Sequence, residues 1–225
     1  MKKIIVIILI LNTLLLCSCQ KSIYDTVCGW FGIDNTDYAA EEATAVLQAD
    51  DETVRFLADF SKIVCFSDRI ITFDSFADVS GDYINVVLNY LTSTFYSKYS
   101  ADKNMMEKFS EAYPELNINT LIPLSDYENT VYTYFGGKRK AAVKSTAMYS
   151  YLDKISAFIL IGHTPEYDID CTVHEAEETE NTYRLTVSFT KNNVSAGVYE
   201  IVFLKREGGD PYIWRIRTSS KVFSA

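Results

Sequence analysis

The chain has 225 residues, 48% of them apolar and 14% aromatic, with 30 acidic against 21 basic side chains and a net charge of −9. That length and apolar share suffice for one well-buried domain. The acidic balance argues against nucleic acid, whose phosphates call for a basic patch, and against lying flat on anionic lipid.

The first element is a leader. Lys2 and Lys3 precede an apolar run from Ile4 to Leu16, 13 residues interrupted by Asn12 and Thr13. A bilayer-spanning helix needs about 20 apolar residues; this run is shorter, and no later stretch is long and apolar enough. A charged start, a short apolar core and a small residue near its end describe a secretory signal peptide. It closes on "LLLCSCQK", residues 14–21. Leu16 stands three before Cys19 and Ser18 directly before it, whereas Cys17 follows Leu16 and does not fit. The pattern resembles the lipobox of bacterial lipoproteins. That resemblance implies diacylglycerol transfer to the Cys19 sulfur, cleavage after Ser18, and anchorage on the extracytoplasmic face of the cell membrane. Each buried methylene adds about 0.8 kcal/mol, so two or three acyl chains hold firmly. Residues 1–18 are then the signal peptide, 19–37 a lipidated tether and 38–225 the domain. An ordinary secreted protein with an accidental cysteine is the alternative.

Removing residues 1–18 from 225 leaves 207 residues and takes the net charge from −9 to about −11, since Lys2 and Lys3 are lost. Cys28, Cys65 and Cys171 remain beside Cys19, with no CxxC spacing. A Cys65–Cys171 bridge is one outcome; buried thiols acting as small apolar groups are the expected one.

The tether "QKSIYDTVCGWFGIDNTD" has no clear period. Helices are expected over about 38–135. "YAAEEATAVLQ", from Tyr38, is rich in strong helix formers. "DDETVRFLADFSKIVCF" places Val54, Leu57, Ser61 and Val64 at helical spacing behind an acidic first turn. A helix from about Asp82 carries the stripe Ile84, Val87, Leu88, Leu91 and Phe95. "ADKNMMEKFSEAY" is a shorter helix stopped by Pro114. In "PLSDYENTVYTYFGGK", Ser125 and Glu128 match a capping box, Val131, Tyr134 and Phe135 form an apolar side, and Gly136 and Gly137 supply the stop.

Over about 147–221 the period becomes 2. Short strands are expected at "AMYSY" and "AFILIG". Tyr167, Ile169, Cys171 and Val173 then share one face, with Asp168, Asp170, Thr172 and His174 on the other. Tyr183, Leu185, Val187 and Phe189 face in; Arg184, Thr186, Ser188 and Thr190 face out. "VYEIVFLK" and "YIWRIRTS" complete a meander whose short turns allow only antiparallel pairing. An apolar sheet face must be buried, and the helices are available to cover it. The fold class is α+β, amino-terminal helices packed on an antiparallel β-sheet.

Over roughly residues 40–221 this pattern resembles the nuclear-transport-factor-2-like, or cystatin-like, fold. The features that carry it are the helix "SDYENTVYTYFGG", the strands "TYRLTVSFTK" and "YEIVFLKREGG", and the closing "YIWRIRTSS". It also resembles cell-surface lipoproteins of anaerobic Gram-positive bacteria. The resemblance implies a strongly curved sheet forming a cone with the helices. That family spans enzymes, transport adaptors and wall-associated modules, so fold does not choose a function.

The chain has two histidines, His163 in the turn "GHTPEYD" and His174 beside Glu175. His174 would meet a cone interior only if its polar face were turned inward. The run "HEAEETE" lacks the alternation and glycine of a calcium loop and a second histidine for zinc. It reads as a solvated acidic turn, and no metal or cofactor is expected. "GGKRKAAVK" departs from a phosphate loop, because Arg139 follows Lys138; it reads as a solvated basic loop with a lesser claim to anionic wall polymer. No GxSxG elbow is present. Tyr83, Tyr90, Tyr96, Tyr132 and Tyr134 are candidates for a sugar- or peptide-binding groove, against a purely packing role.

The expected function is a lipid-anchored, non-catalytic surface module that binds a protein, peptide or cell-wall polymer, with no nucleic acid as partner. The alternative is a cone-pocket enzyme, isomerase- or hydrolase-like, acting on a small envelope-derived molecule. Solute capture for a transporter is weaker, since such proteins usually close two lobes on a ligand.

Overall fold

The computed structural model describes residues 38–74, 83–100, 103–114, 120–136, 141–161, 163 and 166–223. The leader, Cys19, most of the tether, Gly137 and the Lys138–Lys140 loop lie outside them. The chain divides into a unit ending at Ala40 and a unit from Glu41 onward. The first is described only as a 3-10 turn, Tyr38–Ala40; the second is the α+β domain.

The expected helix over Tyr38–Gln48 does not form. Ala45–Val46 is instead a short strand, β1. Tertiary contacts override propensity here. The Glu41 carboxylate accepts from the Thr179 hydroxyl at 2.6 Å and the Asn181 amide side chain at 2.8 Å. Thr44 N–H and Leu47 N–H donate to Glu178 and Ala176 carbonyls. The chain is thereby extended along a strand edge.

Helix α1, Glu52–Ser61, follows, capped by Asp51, whose carboxylate accepts from Thr53 N–H at 2.8 Å. It runs into a 3-10 turn, Lys62–Cys65. All four expected stripe residues, Val54, Leu57, Ser61 and Val64, are fully buried. Helix α2, Tyr83–Thr94, is buried on nearly every side: Ile84, Val86, Val87 and Leu88 are fully buried. It packs against the helix Leu124–Phe135 and the Lys62–Cys65 turn. Two shorter helices follow, α3 (Tyr96–Tyr99) and α4 (Lys103–Ala112).

Strand β2, Leu121–Pro123, leads directly into helix α5, Leu124–Phe135. The expected capping box is therefore not used. Pro123 holds the cap position with no side-chain cap bond, and Leu124 N–H is satisfied by the Ser156 carbonyl at 2.9 Å. Gly136 ends the helix at φ 66°, the left-handed cap expected.

Strands β3 (Tyr149–Leu152) and β4 (Ala157–Leu160) form where expected. They do not extend the meander. With β2 they make a separate three-stranded antiparallel sheet, ordered β2-β4-β3. Its two faces are both buried. Ile122, Tyr149 and Phe158 join the main core, while Leu121, Leu152, Ala157 and Ile159 meet Phe109 of α4 in a second core. Burial on both faces is why "AFIL" reads as an unbroken apolar run without alternation.

The main sheet comprises β1 and four long strands, β5 (Ile169–Glu178), β6 (Thr182–Lys191), β7 (Val194–Arg206) and β8 (Gly209–Thr218). Its antiparallel order is β1-β5-β6-β7-β8. Neither sheet closes into a cone or barrel. The inner face of the large sheet offers Leu185, Val187, Phe189, Ile201, Phe203, Ile213 and Ile216 to the helices. Thr186 is buried on the other face, against the expectation for a solvated position.

Candidate functional site

The period-2 pattern of β5 holds through Val173 and then breaks. Val173 pairs with Val187, but Glu175 pairs with Thr186, leaving His174 as an extra residue. Such a bulge re-aims the side chains beside it. Ala176 returns to the core opposite Leu185. His174 and Glu175 consequently stand side by side on the outer face, away from the helices. His174 Nε2 lies 3.0 Å from Ser188 Oγ, and the Thr186 hydroxyl donates to Glu175 Oε2 at 3.1 Å. Glu175 is also ion-paired with Lys221, which holds its carboxyl below the usual range.

Two further carboxylates of "HEAEETE" are tied up in structure, while Glu180 is exposed. Glu177 faces Arg184 at 3.7 Å and Glu178 pairs with Lys205 at 2.6 Å. Among the described residues no group of three or more His, Cys, Asp or Glu side chains is placed to hold a metal ion. His163 is exposed. Cys65 and Cys171 are free thiols rather than a bridge. Burial pushes the Cys65 thiol up to about 12 and the Cys171 thiol up to about 11. Neither behaves as a nucleophile near neutral pH.

The candidate tyrosines separate by role. Tyr83 is buried and its oxygen accepts from Ala142 N–H at 2.8 Å, while the Tyr127 hydroxyl donates to the Ala142 carbonyl at 2.9 Å. Both are fixtures of packing. Tyr96 is exposed, and Tyr132 lies beneath the Arg206 guanidinium, 4.5 Å from its ring centre.

Tyr90 of α2 and Tyr134 of α5 come together, with their hydroxyls 2.7 Å apart. They form the middle of a ladder of rings. Phe56 meets Phe60 on α1 at 5.5 Å between centroids, and Phe60 stacks on Tyr134 at 4.1 Å. Tyr134 meets Tyr90 at 5.2 Å, and Tyr90 meets both Phe95 at 6.0 Å and Phe66 at 5.3 Å. Phe66 then meets Tyr167 at 5.6 Å, over which Lys191 Nζ sits 4.3 Å from the ring centre. Phe56 and Phe95 are each 41% exposed, whereas Phe60 is buried. Burial, and the bond from Tyr90, push the Tyr134 phenol well above its usual range. Sequence reading found Tyr90 and Tyr134 but missed Phe56, Phe60, Phe66 and Tyr167. The signal available was Phe56–Phe60 at i,i+4, a pair that shares a helix face.

No protein-family model, no curated protein and no solved structure matches this chain.

Proposed function

We propose that this chain is held to the extracytoplasmic face of a membrane by lipid on Cys19 and binds a protein, peptide or wall polymer through the aromatic ladder, without transforming it. The observation that carries the binding reading is the ladder itself: seven rings in contact, branching at Tyr90 and drawn from α1, α2, α5 and three loops, with Phe56 and Phe95 open to solvent. Aromatic faces backed by a rigid core present large contact area at low entropic cost, with hydroxyls to orient a partner. The ladder supports a ring-stacking or apolar partner.

The enzyme reading requires acid and base side chains inside a cavity. The apolar inner face of the sheet, and the outward position of His174 and Glu175, favour binding over it. The likeness to the nuclear-transport-factor-2-like cone belongs to this proposal too. Helices on one face of a bulged antiparallel meander support it; the open main sheet and the separate three-stranded sheet weigh against it.

Two measurements test the proposal. Mass spectrometry of the native product should find Cys19 acylated with the leader gone, and Cys19→Ser should release the protein from membranes. An unmodified Cys19 thiol overturns the anchor. Co-sedimentation of the tether-plus-domain protein with isolated wall polymer, and crosslinking to envelope proteins, should reveal a partner. Phe95→Ala should weaken that binding by about tenfold at unchanged thermal stability. Undiminished binding by Phe95→Ala, Phe56→Ala and their combination would remove the ladder from the account.

A further inference from the structure

After β8 the chain turns and crosses the outer face of the large sheet. Ser219 N–H donates to the Val198 carbonyl of β7 at 2.8 Å, and Ser219 Oγ donates to Glu200 at 3.2 Å. Lys221 N–H donates back to Ser219 Oγ at 3.2 Å. Lys221 Nζ reaches the Glu175 carboxylate on β5. The Phe223 ring lies flat on the His174 imidazole, centroids 4.0 Å apart and planes within 2°. Ser219 thus continues the pairing of β8 with β7, and the residues after it cross to β5, where Thr186 and Ser188 of β6 are each held by the bulge residue beside them.

After the Ser219–Lys221 turn, Lys221, Val222 and Phe223 alternate as residues of an extended peptide do. Alternate residues of an extended chain point the same way. Lys221 and Phe223 turn toward the sheet, and Val222 between them is 94% exposed. The sheet side is matched to them. The β5 bulge brings a carboxylate and a flat ring onto one face, next to each other, which regular alternation forbids. Glu177 and Glu200 also bear on Lys221, making the track acidic around the point where the lysine lands. The contacts are individually weak. The Lys221 and Glu175 side chains are 47% and 46% exposed, and exposed ion pairs are marginal. What favours the segment is its covalent attachment, which keeps it at high effective concentration.

We propose that this outer face is a recognition track for an extended segment carrying a lysine and, two residues on, an aromatic ring, and that Ser219–Phe223 occupies it as an intramolecular strap. A protein partner displaying the same lysine–x–aromatic chemistry takes the track by displacing the strap. Glu175 receives the ammonium group, the His174 ring receives the aromatic side chain, and the His174–Ser188 contact sets the imidazole plane. This proposal is independent of the aromatic ladder, which lies on the helix-covered side.

The test uses a variant of the tether-plus-domain protein ending at Thr218, and a blocked peptide of sequence SSKVF. By NMR, the peptide should bind the shortened protein, shifting the signals of His174, Glu175 and Ser188, and should bind the intact protein at least about tenfold more weakly. Replacing the peptide lysine by glutamate should weaken binding about tenfold, and Glu175→Lys should restore it for that peptide alone. Should the shortened protein fail to fold, the intact chain carrying Lys221→Glu and Phe223→Ala unlatches the strap and takes its place. No shift up to about 5 mM peptide, or equal binding of the two peptides, overturns the proposal. Phe95→Ala should leave these signals untouched, so failure here and failure of the ladder are separately visible.

Discussion

At the residue scale, Tyr149 ties a buried polar cluster together. It is fully buried, its hydroxyl donates to Asn89 Oδ1 at 2.9 Å, and Thr92 Oγ1 lies 2.9 Å away. Asn89, 2% exposed, uses its amide nitrogen to hold the Phe66 carbonyl at 2.9 Å. One phenol thus joins β3 to α2 and, through Asn89, to the loop that carries the ladder ring Phe66. Tyr149→Phe keeps the ring and leaves Asn89 Oδ1 without its donor. A buried group stripped of its partner costs about 1–3 kcal/mol, read as a lower urea midpoint at unchanged slope. Tyr96→Phe is the control. Tyr96 is 53% exposed, and its hydroxyl should matter by less than about 0.5 kcal/mol. Equal midpoints for both variants would show that the Tyr149–Asn89 bond contributes nothing net.

At the element scale, the junction of α5 with β8 is set by the closeness of Gly136 to Tyr212. Gly136 has φ 66°, and a Cβ added there would stand 2.3 Å from two Tyr212 ring carbons and 2.6 Å from Cγ. Because Cγ sits at the base of the side chain, the whole ring must move. Tyr212 also flanks the Arg206 guanidinium, 4.9 Å from its ring centre, and Arg206 donates to the Tyr132 carbonyl at 3.0 Å. Gly136→Ala should therefore cost more than the roughly 1 kcal/mol of a left-handed cap alone, by about another 1–3 kcal/mol for overpacking. Adding Tyr212→Ala should recover part of that loss, because the clash is removed with the ring. Denaturation of the two single variants and the double variant checks this; additive losses would contradict it.

The same scale shows what the sequence made legible. Val54, Leu57, Ser61 and Val64 repeat at helical spacing because one side of α1 is buried, and that pattern is local. Leu185, Val187 and Phe189 alternate because β6 has one apolar face, and that is local too. The cap at Gly136 rests on one residue's φ. By contrast, β1 is a strand only because Glu41 and Thr44 bind the far end of β5, more than 130 positions away. Ser125 and Glu128 carry the right letters for a capping box, yet β2 reaches Pro123 and Ser156 supplies the bond. The β5 bulge has no glycine to announce it, so the shared face of His174 and Glu175 emerged only from the register with β6. The ladder was half visible, since tyrosines on two helices do not disclose that their hydroxyls meet.

At the scale of the whole molecule, the buried ionisable groups act together, and with one sign. Burial raises the Cys65 thiol from 9.0 to about 12, the Cys171 thiol from 9.0 to about 11 and the Tyr149 phenol from 10.0 to about 12. The Tyr127 and Tyr134 phenols move the same way, again through burial. In the unfolded chain these thiols lose their protons near pH 9.0 and the phenols near 10.0, while the folded protein still holds them. Over that window the unfolded state binds fewer protons, so the slope of stability with pH is negative. The contribution is complete below about pH 9 and is lost as pH rises through the folded values. The carboxylates Glu41, Asp126 and Glu175 move downward and would act only in acid, but they sit near the surface, where solvent screens them. The urea midpoint should therefore stay level between about pH 6 and 8 and fall steadily above about pH 9. Replacing both thiols, Cys65→Ala with Cys171→Ala, should delay the onset toward about pH 10, leaving the phenols to set it. A midpoint that does not move between about pH 8 and 11, with the fold intact throughout, would mean that these groups are as free to ionise in the folded protein as in the unfolded chain.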